Sequence, residues 1–485
     1  MKKLLLIFIL IPFTGLSQVQ IGQDINGEME FDESGFSVAL SDDGSIVAIG
    51  AKGNDGNGNN SGHVRVFENI SGVWTQIGQD IDGEAADDLF GSSVAISSDG
   101  TIVAIGATSN DDNGHVRVFE NISGVWTQIG QDLDGEASID FFGDEVALSS
   151  NGDILAVGAF GNNGNGNNSG HVRVFENIAN TWIQVGQDID GEAADDNSGQ
   201  SISLSFDGTI LAIGATANDG NGNNSGHVRV FENTNGVWSQ IGQDINGEAE
   251  GDNSGSSVDL SFNGDILAIG AVRNDGNGNN SGHVRVFENI SGVWTQIGLD
   301  IDGTSAGEGL GANLSLSQNG DIIVIGTPNS ANNGALTGEV KVFQNINNVW
   351  TQVGSDIIGA VPGGNFSKGL SMSSDGNVIA IGAPRYNENG NDSGTVKVYD
   401  LAALLSTEEY TLTDFKLYPN PAKNLFTVQL ENPSDLQNVN IYNKLGQFVL
   451  TSKETTIDTS TLAAGLYVVD IETTKGKGSK KLIIE

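Results

Sequence analysis

The residues best suited to chemistry in this sequence are carboxylates at alternating positions of a repeated segment. Asp80-Ile81-Asp82-Gly83-Glu84 recurs as Asp188-Ile189-Asp190-Gly191-Glu192. Carboxylate oxygens are the ligands that Ca²⁺ prefers. We therefore predict a candidate calcium site at Asp80, Asp82, Glu84, Asp188, Asp190 and Glu192. The alternative is that Asp, Asn and Gly occur here because tight turns require them.

The five histidines all occupy one position of the repeat, and Glu339 and Thr395 replace them in two further copies. They are His63, His115, His171, His227 and His283. Copies of one residue lie in separate repeat units. We therefore expect structural histidines at the start of a strand, which do not converge as metal ligands or as a catalytic pair.

Nucleophilic catalysis has no obvious residues in this chain. Cysteine is absent, and Ser, His and Asp occur as multiplied copies. An active site normally needs a group of residues that breaks the repeat symmetry, so we expect no enzyme activity, no catalytic residue and no bound organic cofactor. Three functions remain open: a binding or adhesion protein, a secreted enzyme that acts on polysaccharide through the divergent segment 304–394, and a structural surface or matrix protein without a discrete ligand.

These residues sit in a repeat of about 56 residues. A Val/Leu-Ala-Ile/Val-Gly string, degenerate in its last two copies, marks each unit at Ile49, Ile105, Val157, Ile213, Ile269, Ile325 and Ile381. The second unit contains four short strand-like runs between turn signals: Ser93–Ser97, Ile102–Ala107, His115–Glu120 and Val125–Ile129. Four strands per unit and seven units predict an all-β fold, a seven-bladed β-propeller.

The two ends of the array indicate a closed ring. Val19–Ile25 copies Thr75–Ile81 from the fourth strand of the first unit. The seventh unit stops after its third strand at Val396–Leu401 and lacks the tryptophan strand. An N-terminal strand that completes the last blade would remove the exposed sheet edge.

All the long segments should meet at one face of this propeller. The short turns join the first strand to the second and the third to the fourth, whereas the Asn/Gly loops, such as Asn54–Gly62, and the acidic connectors, such as Asp80–Phe90, lie at the opposite face. Loops clustered on a rigid scaffold commonly bind ligands. We expect a ligand there, either a glycan or an extracellular protein.

The units resemble the FG-GAP repeats of integrin-α-type propellers. The resemblance rests on Phe90-Gly91, on Gly106-Ala107 and on the strand Gly114–Phe119. It implies the propeller fold. The calcium loop of that family lies between the first two strands, where this chain has only a turn at Ser98-Asp99-Gly100, so the family's calcium sites cannot be transferred.

Charge and the N-terminus indicate an exported protein. The formal net charge is −41, nearly all of it between residues 19 and 407, which disfavours nucleic acid and anionic membranes as partners. Lys2 and Lys3, the apolar run Leu4–Phe13 and the small residues before Gln18 predict a signal peptide at residues 1–17. We expect no transmembrane segment and a monomer.

The composition changes after a predicted propeller at residues 18–405 and a linker at 406–413. Residues 414–485 resemble the C-terminal sorting domain of the type IX secretion system of Bacteroidetes bacteria, with an Ig-like β-sandwich fold. The matching residues are Tyr418, Pro419, Asn420, Pro421, Gly446, Gly465, Tyr467 and Lys481. The resemblance implies the type IX machinery as a partner and a location in the medium or at the outer cell surface.

Overall fold

The computed structural model describes residues 18–405, 415–430, 436–443, 448–460, 462–473 and 476–484. The chain divides into two compact units, one before and one after residue 405. The predicted signal peptide and linker lie outside the described residues. No helix within these ranges is both long and apolar enough to cross a membrane.

Residues 18–405 form seven antiparallel sheets, which are the seven blades of the predicted propeller. Each blade has an inner strand followed by a second strand. The inner strands are Ser37–Leu40, Phe90–Ile96, Val146–Leu148, Ser198–Leu204, Ser254–Leu260, Asn313–Leu316 and Leu370–Met372. The second strands are Ile46–Ala51, Ile102–Ala107, Ile154–Ala159, Ile210–Ala215, Ile266–Ala271, Ile322–Thr327 and Val378–Ala383.

The outer half of each blade consists of a third strand and a fourth strand in two pieces. The third strands are His63–Asn69, His115–Asn121, His171–Asn177, His227–Thr234, His283–Asn289, Glu339–Asn345 and Thr395–Asp400. The first pieces are Trp74–Gln76, Trp126–Gln128, Trp182–Gln184, Val237–Gln240, Trp294–Gln296, Trp350–Gln352 and Val19–Gln20. The second pieces are Ile81–Asp82, Leu133–Asp134, Ile189–Asp190, Ile245–Asn246, Ile301–Asp302, Ile357–Ile358 and Ile25–Asn26.

The N-terminal strand closes the ring as predicted. Val19 pairs with Asp400, and Ile25 pairs with Val396 on the third strand of the seventh blade. A short helix, Ala402–Leu405, follows this strand, and a single 3₁₀ turn occurs at Asn110–Asp112. The seventh blade therefore contains both ends of the propeller sequence.

The second and third strands carry most of the core. In Ile102–Ala107 every residue after the first is buried, and in His115–Asn121 the first five residues are buried. This pattern fits strands covered on both faces by neighbouring blades. A side chain at Gly106 would place its Cβ 2.0 Å from the carbonyl oxygen of Gly143 in the next blade, so the glycine of each Ile/Val-Gly pair allows the blades to approach closely.

Tryptophans join neighbouring blades around the rim. The indole Nε1 of Trp126 donates to the carbonyl of Ile77 in the preceding blade, and Gln79 exchanges two hydrogen bonds with the backbone of Trp126. Gln18 stands at the corresponding position of the seventh blade. There Leu404 of the short helix packs at Gly354, where other blades place the indole.

The C-terminal unit is a β-sandwich of two described sheets. One contains Lys416–Tyr418, Leu425–Gln429 and Thr456–Asp458, and the other contains Leu436–Asn443, Phe448–Ser452, Gly465–Thr473 and Gly476–Ile484. Phe415, Phe426, Val439, Ile441 and Leu482 are among the buried residues of its core. The alternation of apolar and polar residues in this segment predicted such a fold.

Candidate functional site

The long loops and connectors meet at one face, as the strand directions require. His63 at the start of a third strand pairs in register with Asp82, from which the connector to the next blade departs. The Asn/Gly loops are held by their own side chains: Asp55 accepts a hydrogen bond from the backbone of Asn60, and Asn57 donates to the carbonyl of Gly83. This face is called the loop face below.

The central channel opens on the loop face into a cavity of about 350 Å³. All seven blades contribute to its wall. One equivalent position, at or just before the start of each inner strand, faces the cavity and carries a different residue in nearly every blade. In blade order these residues are Phe36, Ser92, Asp144, Gln200, Ser256, Ala312 and Lys368. The repeat symmetry is therefore broken at this channel mouth.

Two carboxyl groups of the third blade lie in the wall of the channel mouth. Burial raises the pKa of Asp144 to about 6, although Lys368 and Lys52 oppose this shift. Burial and the charge of Asp144 raise the pKa of Glu145 to about 8, against the opposing effect of Lys368. Near neutral pH this pair therefore holds a proton.

Two lysines lie across the mouth from these carboxyl groups, on the ring of Phe36. Nζ of Lys52 is 3.5 Å from the ring centroid, and Nζ of Lys368 is 4.7 Å from it. Lys52 also pairs with Glu33 at 3.6 Å, and burial lowers its pKa. A mouth with both cationic and protonated acidic groups can donate and accept hydrogen bonds with a polar ligand.

A second cavity of about 420 Å³ adjoins the channel mouth. It shares Lys52 and Leu89 with the first cavity and extends between Phe31 and the loop residues Asn59 and Asn60. Phe31 is 54% exposed. The two cavities together offer a continuous polar groove with an aromatic side chain at its outer end.

The opposite end of the channel opens into a smaller cavity of about 200 Å³, and hydrogen bonds join neighbouring blades around it. The carboxylate of Asp259 accepts hydrogen bonds from the Ser203 hydroxyl and from the backbone amide of Leu316, which belong to the two adjacent blades. Phe206 and Phe262 stack at this end with ring centroids 3.9 Å apart. This end therefore combines contacts between blades with a smaller cavity, whereas the loop face holds the larger cavity.

The six predicted calcium ligands are divided among different blade junctions. Asp80 lies with His63 and Glu28, whereas Glu84 lies with His115 and Asp132 of the next junction. Asp188 and Glu192 are separated in the same way, with His171 and His227 respectively. Asp82 and Asp190 pair in register with His63 and His171, and burial together with Asp80 raises the pKa of Asp82 despite the opposing charge of Arg117.

The histidines do not meet one another, as expected, but the sequence reasoning missed their carboxylate neighbours. In five junctions of the described propeller a histidine nitrogen, a connector Glu oxygen and an outer-strand Asp oxygen lie within 4.8 Å of one another. These groups are Glu28/His63/Asp80, Glu84/His115/Asp132, Glu136/His171/Asp188, Glu192/His227/Asp244 and Glu248/His283/Asp300. The constant spacing of Glu, His and Asp within the repeat was a signal that could have identified them.

The histidine rings of these junctions are neutral. Burial lowers the pKa of all five, to about 4 for His63 and His227, because it disfavours the imidazolium ion. The arginine two positions later also lowers these values. Each ring therefore keeps one nitrogen lone pair at physiological pH.

The sorting-motif residues organise the C-terminal sandwich. The Asn420 side chain donates to the carbonyl of Lys481 and accepts from the amide of Ile483, which ties the Tyr418-Pro419-Asn420-Pro421 segment to the last strand. Gly465 opens a strand, and the Tyr467 hydroxyl donates to the carbonyl of Ala463. Gly446 lies outside the described residues.

Comparisons with protein families agree with the description of the propeller and of the C-terminal unit. The FG-GAP repeat family matches residues 26–67, 81–119 and 132–175, which cover the first three blades. The secretion system C-terminal sorting domain matches residues 416–485. No curated protein matches the chain.

Solved structures with a similar fold are distant in sequence. A candidate 6-phosphogluconolactonase from Bacteroides uniformis is 15% identical, with 68% of this chain and 86% of that chain covered and a TM-score of 0.49. The periplasmic gluconolactonase of Pseudomonas aeruginosa is 17% identical, with 67% and 86% covered and a TM-score of 0.48. U3-55K is 14% identical, with 79% and 98% covered and a TM-score of 0.47.

The sorting domain marks a protein that interacts with the type IX secretion machinery and is exported to the cell surface or the medium. The part of the chain that precedes the sorting domain folds as seven sheets, which form the propeller. The chain is thus an exported seven-bladed β-propeller, with three FG-GAP repeats in its first three blades and a type IX C-terminal sorting domain.

Proposed function

We propose that this protein is a cell-surface or secreted binding propeller that holds a carbohydrate at its channel mouth. The observation that carries the proposal is the broken symmetry of that site. Seven nearly identical blades contribute Phe36, Asp144, Gln200, Lys368 and three smaller residues to one cavity. If the seven positions carried identical residues, a ligand could bind equally well in seven orientations. Because the residues differ, one orientation of the ligand is favoured over the others.

The chemistry of the groove supports a ligand rich in hydroxyl groups. Serine, asparagine and glutamine side chains alternate with the charged groups around the mouth and can both donate and accept hydrogen bonds. The exposed ring of Phe31 offers an apolar face at the outer end. A sugar presents hydroxyl groups at its edge and C–H groups on its face, so it matches both features.

The proposal is tested with the full chain on an array of neutral and uronic-acid glycans, followed by calorimetry on any ligand found. Lys368→Ala and Asp144→Ala should each weaken binding about tenfold, or about 1.4 kcal/mol. Lys423→Ala, an exposed residue of the C-terminal unit, is the matched control and should bind normally. The absence of glycan binding, or equal affinity in all three variants, would refute the proposal.

The carboxyl pair favours a second function, hydrolysis of a glycan in the same groove. Glycoside hydrolysis needs one protonated and one ionised carboxyl group, and the raised pKa values of Asp144 and Glu145 meet that requirement near neutral pH. This pair lies in the third blade and not in the divergent segment 304–394. Release of reducing sugar that is lost in both Asp144→Asn and Glu145→Gln would support hydrolysis, and binding without turnover would exclude it.

A further inference from the structure

We propose that the five histidine-containing blade junctions each bind one divalent transition-metal ion of the zinc type. The ligands are one histidine nitrogen, the connector Glu and the outer-strand Asp of each group. The proposal is independent of the carbohydrate site because no residue of these groups lines the channel mouth.

The histidine of each group is buried, and in four of the five groups Nε2 lacks the hydrogen-bond partner that a buried imidazole normally has. His63, His115, His171 and His227 are 1–2% exposed, and Nε2 of each ring has no hydrogen-bond partner. Nδ1 of His227 is 3.9 Å from Oε2 of Glu192, which is beyond hydrogen-bonding distance. A separation of 3.9 Å leaves room for an ion that contacts both atoms, so Nδ1 is the ring nitrogen that would bind the metal.

The Glu of each group is oriented by an arginine on the same strand as the histidine. In the fourth blade Oε1 of Glu192 faces Arg229, while Oε2 faces His227. The Arg–Glu distances are 3.5–3.9 Å in all five junctions. The arginine is itself fixed by a hydrogen bond to a backbone carbonyl of the preceding blade, as Arg117 is to Asp82. One carboxylate oxygen is thus left for a metal ion.

The Asp of each group is oriented by a glutamine on its own outer strand. The side-chain amide of Gln76 donates to Oδ1 of Asp80, and the equivalent distances in the other four junctions are 2.6–2.7 Å. Hydrogen bonds that fix a ligating carboxylate are a common feature of metal sites. All three ligands of each junction therefore have a supporting contact or a buried position.

The donor atoms favour zinc over calcium. One imidazole nitrogen with two carboxylate oxygens suits Zn²⁺ and similar ions, whereas Ca²⁺ takes six to eight oxygens. The ligand atoms lie within 4.8 Å of one another, somewhat wider than a closed zinc site. The Glu side chains are 44–49% exposed, so they can move inward by the small distance required.

In the two junctions without histidine, a lysine replaces the arginine, and its ammonium group contacts nearby carboxylates. In the sixth blade Glu339 replaces histidine and Lys341 replaces arginine, and Lys341 contacts Glu308 and Glu339. In the seventh blade Thr395 replaces histidine, and Lys397 contacts Asp24, which corresponds to Asp80. These two junctions therefore lack the histidine ligand, and their carboxylates pair with a lysine instead.

The test counts metal bound by the full chain. After equilibrium dialysis at low micromolar free zinc, mass spectrometry should find five zinc ions per chain, one for each group. The control replaces all five histidines by glutamine, which leaves the negative charge of the surface unchanged and should remove this zinc. Equal uptake by both proteins would mean nonspecific binding to an acidic surface and would overturn the proposal, as would no uptake by the wild type.

Single substitutions assign the ions to their junctions. His115→Gln and Glu84→Gln should each lower the count from five to four, with circular dichroism as the check on folding. If these variants do not fold, X-ray absorption of the zinc-loaded wild type decides, because ligation by histidine produces imidazole scattering and its absence would refute the sites. Excess calcium should not displace the zinc, and displacement would overturn the assignment of these sites to an ion of the zinc type.

Discussion

The blade junctions and the channel mouth use the same repeat in opposite ways. Around the junctions five copies of His, Glu, Asp and Arg recur with nearly the same distances. At the mouth, Phe36, Asp144, Gln200 and Lys368 occupy equivalent positions but share no chemistry. Packing between blades therefore keeps the repeat uniform, whereas a position that faces only the channel is free to differ.

Loss of a tryptophan in the uniform region should destabilise the propeller strongly. Trp126→Ala should lower the free energy of unfolding by about 3–5 kcal/mol, because the buried indole bridges two blades. Trp350→Ala should lower the free energy of unfolding by a smaller amount. Trp350 is only half-buried, and Leu299 replaces the glutamine that binds the backbone of the other tryptophans. Urea denaturation of both variants measures the difference, and an equal loss would show that the glutamine contacts add nothing.

A smaller effect is expected from the carboxyl pair of the channel mouth. The pKa of Glu145 is raised in the folded state to about 8, so its contribution to stability is present at acidic pH and is lost as the pH rises from about 4 to about 8. Glu145→Gln should therefore raise the free energy of unfolding at pH 9 by at least about 1 kcal/mol and change little at pH 4.

The pH prediction is checked by urea denaturation at both pH values. Glu232→Gln, a change at an exposed strand residue, serves as the control for the loss of one negative charge. If Glu232→Gln stabilises the protein at pH 9 as much as Glu145→Gln does, general repulsion in an acidic protein explains the result and the local environment does not.

A gain of zinc binding is expected when the divergent junction of the sixth blade is converted into a copy of the five repeated groups. Thr304→Glu, Glu339→His and Lys341→Arg together give the sixth blade the residues of the five repeated groups, with Asp356 already present. The variant should bind one zinc ion more than the wild type in equilibrium dialysis. An unchanged count in a folded variant would mean that these residues do not suffice for binding.

The sequence predicted the ring and its closure because the repeat and the alternation of strands are local signals. Trp126 and Val19 were both assigned to outer strands from that pattern. The predicted run Val125–Ile129 was too long. The strand stops at Gln128 and resumes at Leu133, since the carbonyl of Ile129 turns to accept the indole hydrogen bond of Trp182.

The two candidate sites were harder to predict because each combines residues from different blades. Glu84 was predicted as a calcium ligand and His115 as a structural histidine. They lie close together only because the connector that carries Glu84 packs against the blade that follows it. Asp144 and Lys368 meet only after the ring has closed. The spacing of Asp144 and Lys368 along the chain therefore does not predict that they line the same cavity.

The pairing of Val19 with Asp400 also has a kinetic consequence. Each of the first six blades is built from contiguous residues and can form as its own segment becomes available, whereas the seventh needs both ends of the propeller. Contacts between residues so far apart along the chain form slowly, because the intervening chain must lose entropy first. Ring closure is therefore a late folding event. Until Val19 pairs with Asp400, the third strand of the seventh blade is an exposed sheet edge.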